Sequence, residues 1–171
     1  QAAISSQDIA FAIAPRINAA GRLQDMSIGV QTLLAENDAS AHDLALQLDE
    51  INRNRRELQG EMTEQALSML PDIQQAADQR GYVLYQADWH EGIVGIIASR
   101  IKDQTFRPSI AFARSEQGHL KGSCRSIPGV HIRDMLDLVD KSEPGLIIRF
   151  GGHAMAEGLT IEPQGLGRFS D

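Results

Sequence analysis

Residues 40–70 carry the longest periodic pattern of the chain, because apolar or long side chains recur at every third or fourth position. The members of this stripe are Leu44, Leu48, Ile51, Arg55, Leu58, Met62, Gln65 and Met69. The spacing predicts one α-helix, with Ser40 as its N-cap, Asp43 in a capping box and a stop at Pro71. A helix of about 30 residues, at 1.5 Å per residue, spans about 45 Å. Because its other faces are polar, this helix is typical of a connector between domains.

The pattern changes after Gly81 to short segments in which strand and helix periodicity alternate. Strands are expected at residues 82–87, 108–113, 119–123, 146–150 and 159–161, and helices at residues 92–102 and 131–139. Ser115-Glu116-Gln117-Gly118 predicts a hairpin, whose strands are antiparallel, whereas strand–helix–strand connections favour parallel pairing. We therefore expect an α/β fold in which the long connecting helix is followed by a mixed β-sheet flanked by helices.

Three regions are predicted within the 171 residues. They are a junction region at 1–37, the connecting helix at 38–71 and a compact domain at 80–171, with a boundary near residues 71–80. This length suits a helical arm plus one compact domain. The first residue is glutamine rather than methionine, from which we expect that the chain is a piece of a longer protein.

The junction region contains an apolar stretch at residues 8–23 that Pro15 interrupts and Gly21 closes. Proline disfavours helix at the residue before it, and glycine permits unusual turns. We expect a short helix here, followed by a structured loop. The loop is expected to carry Arg16, Asn18 and Arg22. A second short helix is expected at residues 27–36.

Net charge is −7, but the charged residues are unevenly distributed. Residues 1–79 contain five Lys and Arg against twelve Asp and Glu, whereas residues 80–171 contain eleven of each kind. This balance excludes a strongly basic, histone-like nucleic-acid binder but allows a groove that holds a polyanion at a few points. No apolar run approaches the roughly 18 residues of a membrane-spanning helix. The single Cys124 suits a reducing, cytoplasmic location.

The motif Phe150-Gly151-Gly152-His153-Ala154 follows an apolar run at residues 146–148. Two adjacent glycines let the backbone turn tightly and approach a ligand closely. The strand end is therefore expected to present the imidazole as a catalytic or phosphate-contacting group. The alternative is a glycine-rich turn with a solvent-facing histidine.

A second motif, Asp88-Trp89-His90-Glu91-Gly92, lies where a predicted strand leads into a predicted helix. Loops of this kind often build the sites of open α/β sheets, which makes His90 a candidate substrate-facing group. In the alternative, Asp88 caps the helix, Trp89 packs in the core and His90 lies on the surface.

A third motif is Lys121-Gly122-Ser123-Cys124-Arg125-Ser126. A guanidinium flanked by two serine hydroxyls, without acidic neighbours in the sequence, offers several donors to a phosphate. The alternative is an exposed strand whose polar side chains are only solvated.

Metal and nucleotide motifs are missing from the sequence. The histidines at positions 42, 90, 119, 131 and 153 lack zinc-ligand spacing, and no P-loop, nucleophile elbow or dinucleotide fingerprint is present. The chain can thus bind a phosphate but has no evident means of hydrolysing one.

These three motifs, with residues 14–23 and the long helix, resemble the second half of the catalytic core of the RecJ family of single-stranded-DNA-specific exonucleases, in the DHH phosphoesterase superfamily. They occur in the family's order and cover almost the whole chain. The resemblance implies a DHHA1-type substrate-binding domain joined by a long helix to an upstream catalytic DHH domain. It implies removal of nucleotides from the 5′ end of single-stranded DNA in repair and recombination. Mn²⁺ or Mg²⁺ would be held by the upstream domain, and a single-strand-binding protein and a helicase are candidate partners.

The resemblance also assigns residue roles, which join those of the motifs. The phosphate-binding motif is matched by Arg125 with Ser123 and Ser126. The histidine that faces the metal centre near the scissile phosphate is matched by His153, which Gly151 and Gly152 precede. His90 is a further substrate-binding candidate. The loop near the domain junction is matched by Arg16, Asn18 and Arg22.

Cys124 departs from the family pattern, in which we expect glycine between the serine and the arginine. A Cβ and a thiol there would restrict the backbone and narrow the approach to DNA, and the role of Arg125 requires an ordinary β conformation. Two other functions stay open. One is a phosphoesterase acting on short oligonucleotides, and the other is a noncatalytic nucleic-acid- or partner-binding module.

Overall fold

The structure, a computed structural model, describes residues 3–71 and 79–171. The chain divides into two compact units, Gln1–Gly60 and Glu61–Asp171. The predicted boundary near residues 71–80 lies largely outside the described residues. The three predicted regions therefore stay a prediction.

Helix replaces the loop predicted in the junction region. Helix α1 (Ser6–Asp8), a π-helical turn (Ile9–Ile13) and helix α2 (Ala14–Leu23) follow one another directly. The predicted loop is thus wrong, and Arg16, Asn18 and Arg22 lie on α2. Pro15 is in the first turn of α2, a position where proline is common. A single glycine inside a helix costs only about 1 kcal/mol, so Gly21 does not end it.

Two helices complete the first half of the chain. Helix α3 is Ser27–Leu33, three residues shorter than predicted, and α4 is Asp38–Ser68, a helix of 31 residues. The predicted cap is wrong, because Asn37 Oδ1 accepts a hydrogen bond from the Ser40 N–H at 2.9 Å. Ser40 therefore lies inside the first turn of α4, and Asn37 occupies the capping position.

A five-stranded mixed sheet forms the second half, which confirms the predicted fold class. The strands are β1 (Tyr82–Tyr85), β2 (Ser109–Arg114), β3 (Leu120–Arg125), β4 (Ile147–His153) and β5 (Ala156–Ile161). Their order is β1-β2-β3-β5-β4. Only β1 and β2 pair in parallel, and the other three pairs are antiparallel. Helix α5 (Val94–Thr105) makes the crossover that the parallel pair requires.

Helices cover both faces of this sheet. The core face carries the side chains of Phe112, Cys124 and Leu159, which pack in one buried cluster with Ile132 and Leu136 of helix α6 (Ile132–Ser142). A short 3-10 helix (Pro163–Gly165) and helix α7 (Leu166–Ser170), which the sequence did not predict, complete this layer. Phe169 of α7 meets Phe112 edge to face, with ring centroids 5.5 Å apart. The opposite face, called here the α5 face, packs on α5 at β2 and β3.

Candidate phosphate-binding surface

Strands β3, β5 and β4 are neighbours, and their register aligns nine residues in three rows on the α5 face. The first row is Arg125, Ala156 and His153; the second is Ser123, Gly158 and Gly151; the third is Lys121, Thr160 and Arg149. Because side chains alternate between the faces of a strand, all nine share one face, opposite the buried core cluster. We call these residues the three-row surface. It brings together residues of two of the three sequence motifs, whose nearest members on this surface, Arg125 and Gly151, are 26 positions apart in the chain.

The middle of the three-row surface has no side chains. Gly151 and Gly158 are exposed and pair with each other across β4 and β5. A Cβ built at Gly151 would meet nothing within 4 Å, and one at Gly158 would meet only two carbonyl oxygens, at 3.9 and 4.0 Å. The space above both glycines is therefore open. A ligand can lie directly on the backbone here.

Arg125 is held at the edge of this glycine floor. Its Nη1 donates to Ser123 Oγ and to the Cys124 carbonyl oxygen, both at 2.8 Å. Helix α5 approaches closely at Gly95, where a Cβ would lie 3.0 Å from Arg125 Nη2 and 3.1 Å from Ser123 Oγ. The half-buried guanidinium is thus oriented before any ligand binds, which suits recognition of a phosphate.

Ser126 does not reach the three-row surface, although the third motif includes it. Its side chain is 1% exposed, and its Oγ donates to the Val130 carbonyl oxygen at 2.6 Å. Its N–H donates to the Met155 carbonyl oxygen at 2.9 Å. This serine fixes the chain after β3. The structure therefore brings together Arg125 and Ser123 and separates Ser126 from them.

Cys124 lies in the core cluster, on the face opposite Ser123 and Arg125. The pKa of its thiol is raised to about 12, mainly by burial and to a lesser extent by the negative charge of Glu157. Among the described residues, Phe106 is the non-glycine residue with a positive φ, so Cys124 has ordinary backbone geometry. The expected narrowing of the approach to DNA is not found, because the thiol points away from the three-row surface.

The Gly-Gly-His motif lies within β4 rather than after it. Gly151 belongs to the glycine floor, whereas Gly152 pairs with Glu157 and has φ +155°. His153 is the last residue of β4, and its side chain is exposed, as predicted. Two bonds from α6 hold this end of the strand: the Ile132 N–H donates to the Ala154 carbonyl at 2.9 Å, and Arg133 Nη1 donates to the Gly152 carbonyl at 3.4 Å.

Glu157 is the buried polar residue beneath this motif. It is 2% exposed, and neither carboxyl oxygen has a hydrogen-bond partner among the described residues. It lies on the core face, between Cys124 of β3 and Gly152 of β4. Burying a carboxyl group without a partner costs free energy. The residue therefore weakens the fold locally.

Replacing Glu157 with methionine is expected to raise the free energy of unfolding by about 1–3 kcal/mol, because an apolar side chain of similar size replaces an unpartnered carboxyl group. Urea denaturation of the protein measures this change. The matched control is Glu116→Met in the exposed hairpin turn, expected to change stability by less than about 0.5 kcal/mol. A loss of stability at position 157 would contradict the prediction.

The second motif contacts the edge of the three-row surface through Glu91. Glu91 Oε2 is 2.8 Å from Lys121 Nζ, an ion pair that the sequence did not predict. Trp89 is 3% exposed and its Nε1 donates to Gln65 Oε1 at 2.6 Å, so it packs as the structural alternative proposed.

His90, in the same motif, accepts a hydrogen bond from the backbone of its own loop. The Gly92 N–H donates to Nδ1 of the half-buried His90 at 3.0 Å. Asp88 is exposed, and α5 begins after Ile93 without a side-chain cap, so Asp88 is not the helix cap.

The polar residues of α2 lie in the other compact unit. Arg16 pairs with Asp49 of α4, with Nη2 to Oδ1 at 2.8 Å. Burial, together with the Arg56 and Arg22 charges, lowers the pKa of Arg55. Asn18 is exposed on α2. All of these residues belong to the first compact unit, whereas the three-row surface belongs to the second.

Residues 3–71 and 79–171 contain no group of three or more His, Cys, Asp or Glu that could hold a metal ion. No helix within them has the length and apolar character to cross a membrane. The sequence analysis missed Arg149 and Gly158 as members of the surface, and it included Lys121 in the third motif without giving it a role. The available indication was period-two spacing, since positions 121, 123 and 125, like 149, 151 and 153, lie on one face of a strand.

The family model of the DHHA1 domain matches residues 78–171, more than half of the chain. The chain belongs to the DHHA1 domain family. The matched residues include the whole sheet and therefore all of the three-row surface.

Sequence similarity to other proteins extends beyond the DHHA1 domain to almost the whole chain. The chain is 48% identical over 162 residues to the single-stranded-DNA-specific exonuclease RecJ of Haemophilus influenzae, covering 94% of the chain and 28% of that protein. The corresponding protein of Escherichia coli is 47% identical, with 93% and 28% covered. This DHHA1-containing chain thus spans little more than a quarter of the length of these relatives.

Solved structures show the same fold. RecJ from Thermus thermophilus in complex with Mg²⁺ aligns with a TM-score of 0.82 at 32% identity, over 95% of this chain and 24% of that one. An exonuclease RecJ bound to manganese aligns with a TM-score of 0.81 at 31% identity, over 96% of this chain and 39% of that one.

Proposed function

We propose that this chain is the substrate-binding part of a metal-dependent exonuclease that removes nucleotides from the 5′ end of single-stranded DNA. The observation that carries the proposal is the three-row surface, in which an oriented guanidinium and an exposed imidazole flank a floor of bare backbone. The names of the RecJ relatives support this substrate.

Divalent metal would be bound outside this chain. The described residues do not fit a metal site, since no group of three or more possible ligands is present among them. The Mg²⁺ and Mn²⁺ complexes of similar proteins support use of these ions by the complete enzyme. Contacts with a single-strand-binding protein or a helicase stay predictions.

The residues of this chain would bind and orient the strand. Arg125, fixed by Ser123 Oγ and the Cys124 carbonyl, would hold a phosphate through its guanidinium. His153 lies in the same row, two strands away, or about 10 Å at the usual strand spacing. The 5′ phosphate would lie between them, and the imidazole would donate a hydrogen bond to the scissile phosphate, the next one along the strand, as negative charge develops there. The glycine floor would let the backbone of the strand lie close to the sheet.

The test uses the full-length protein with Mn²⁺ and a long 5′-phosphorylated single strand, compared with a duplex of the same sequence. Wild type is expected to release mononucleotides from the 5′ end of the single strand only. Cleavage of dinucleotides without degradation of the long strand would support a small-substrate phosphoesterase instead. If neither is cleaved, the chain would belong to a binding module.

Arg125→Ala is expected to raise KM for the single strand by about ten- to a hundredfold, because a charge-assisted hydrogen bond to phosphate is worth about 1.5–3 kcal/mol. The matched control is Arg168→Ala, which removes an exposed arginine that pairs with Glu143. Initial rates over a range of DNA concentrations measure both variants. Equal KM values for the two would contradict the role of Arg125.

A further inference from the structure

The third row of the three-row surface carries two basic side chains to which the sequence analysis assigned no role. Lys121 and Arg149 lie on either side of Thr160. The Lys121 ammonium is 2.8 Å from Glu91, so its charge is compensated within the protein. Arg149 is exposed, and none of the ion pairs among residues 3–71 and 79–171 includes it.

The direction of the Arg149 side chain is set by the sheet. Its Nε donates to Thr160 Oγ1 at 3.3 Å, and Thr160 is itself buried. This bond holds the guanidinium over β5, on the α5 face. Because Nε makes the bond, the two terminal nitrogens can form a donor fork toward an anion above the sheet.

The rows have a regular spacing along the strands. Residues two apart in an antiparallel strand are separated by about 6.8 Å, so Arg149 lies about 14 Å from the row of Arg125 and His153. Successive phosphates of an extended single strand are separated by a distance close to one such step. Three consecutive phosphates can therefore lie over the three rows.

We propose that Arg149 binds the third phosphate of a single strand whose first phosphate lies between Arg125 and His153 and whose second lies over the glycine floor. The proposal rests on the proposed function and deepens it, since it assigns a substrate length. A strand needs at least three phosphates to reach Arg149. A 5′-phosphorylated dinucleotide has only two, and contacts only the first two rows.

The test measures binding by the full-length protein, without divalent metal, to a fluorescent 5′-phosphorylated dinucleotide and octanucleotide. Arg149→Gln is expected to weaken octanucleotide binding about three- to tenfold and leave dinucleotide binding unchanged. The slope of log K against log salt for the octanucleotide should become shallower by about 0.7, the value for one contact with a single-strand phosphate. Arg149→Lys, which keeps the charge, should retain most of the affinity and the wild-type slope.

Arg168→Gln is the matched control, because it removes one positive charge from α7, which packs on the core face. If Arg149→Gln and Arg168→Gln bind the octanucleotide alike, or if Arg149→Gln weakens both oligonucleotides equally, the proposal is wrong while the exonuclease function stands. If wild type binds no single-stranded DNA, the proposed function fails and this subsite with it.

Discussion

Gly152→Ala is expected to lower the free energy of unfolding by about 2–5 kcal/mol. A Cβ at this position would lie 2.5 Å from the Ala156 carbonyl oxygen and 2.8 Å from Glu157 Oε2. The first of these atoms belongs to the paired backbone of β5 and cannot move without breaking the ladder. The φ of +155° adds strain of about 1–3 kcal/mol for any residue with a side chain. Urea denaturation of the purified protein measures the loss.

The neighbouring glycine provides the matched control for stability. A Cβ at Gly151 would meet nothing within 4 Å, and its φ is not positive. Gly151→Ala should therefore change the free energy of unfolding by less than about 0.5 kcal/mol. The two variants differ by one position and make the same chemical change. If both were equally stable, the close approach of β5 to Gly152 would not be the reason for that glycine.

His153→Ala in the full-length protein is expected to lower kcat on single-stranded DNA by about 10²–10³-fold, the usual effect of losing one donor to a developing charge. KM should change little, because Arg125 and the glycine floor would still bind the strand. Because the side chain is exposed at the end of β4, the variant is expected to keep its fold, and circular dichroism checks this. Steady-state rates with Mn²⁺ provide both constants.

His42→Ala is the control for this variant, since it removes an exposed histidine of α4 that lies in the other compact unit. It should retain wild-type rates. A kcat for His153→Ala close to that of the control would show that the imidazole takes no part in the reaction. The exonuclease proposal itself would stand in that case, because it is tested with the wild-type protein.

The sequence predicted regular elements well where one periodicity persisted. The stripe from Leu44 to Met69 identified α4, and the apolar runs located all five strands. Predictions failed where a local rule was applied without its context. Pro15 suggested a break, but a proline in the first turn of a helix is tolerated. Ser40 suggested a cap, but Asn37 three residues earlier supplies the bond.

The sequence analysis identified some residues of the three-row surface and missed others. Arg125, Ser123 and His153 could be selected from their motifs, since glycines, hydroxyls and basic groups cluster there. Ser126 is in the same motif, yet its hydroxyl is bound to Val130. Arg149 was not selected, because a single arginine within an apolar segment does not form a recognisable motif.

The sequence by itself determined the order of the longer helices and the five strands and, except at the register shift in β4, the side chains that each strand carries on each face, because these follow from local periodicity. Only the tertiary structure decided that β5 lies between β3 and β4. That order sets the register in which Gly158 meets Gly151, and in which Arg125 and His153 share a row. Pairing between strands far apart in the chain depends on packing of the whole sheet, which no short segment encodes.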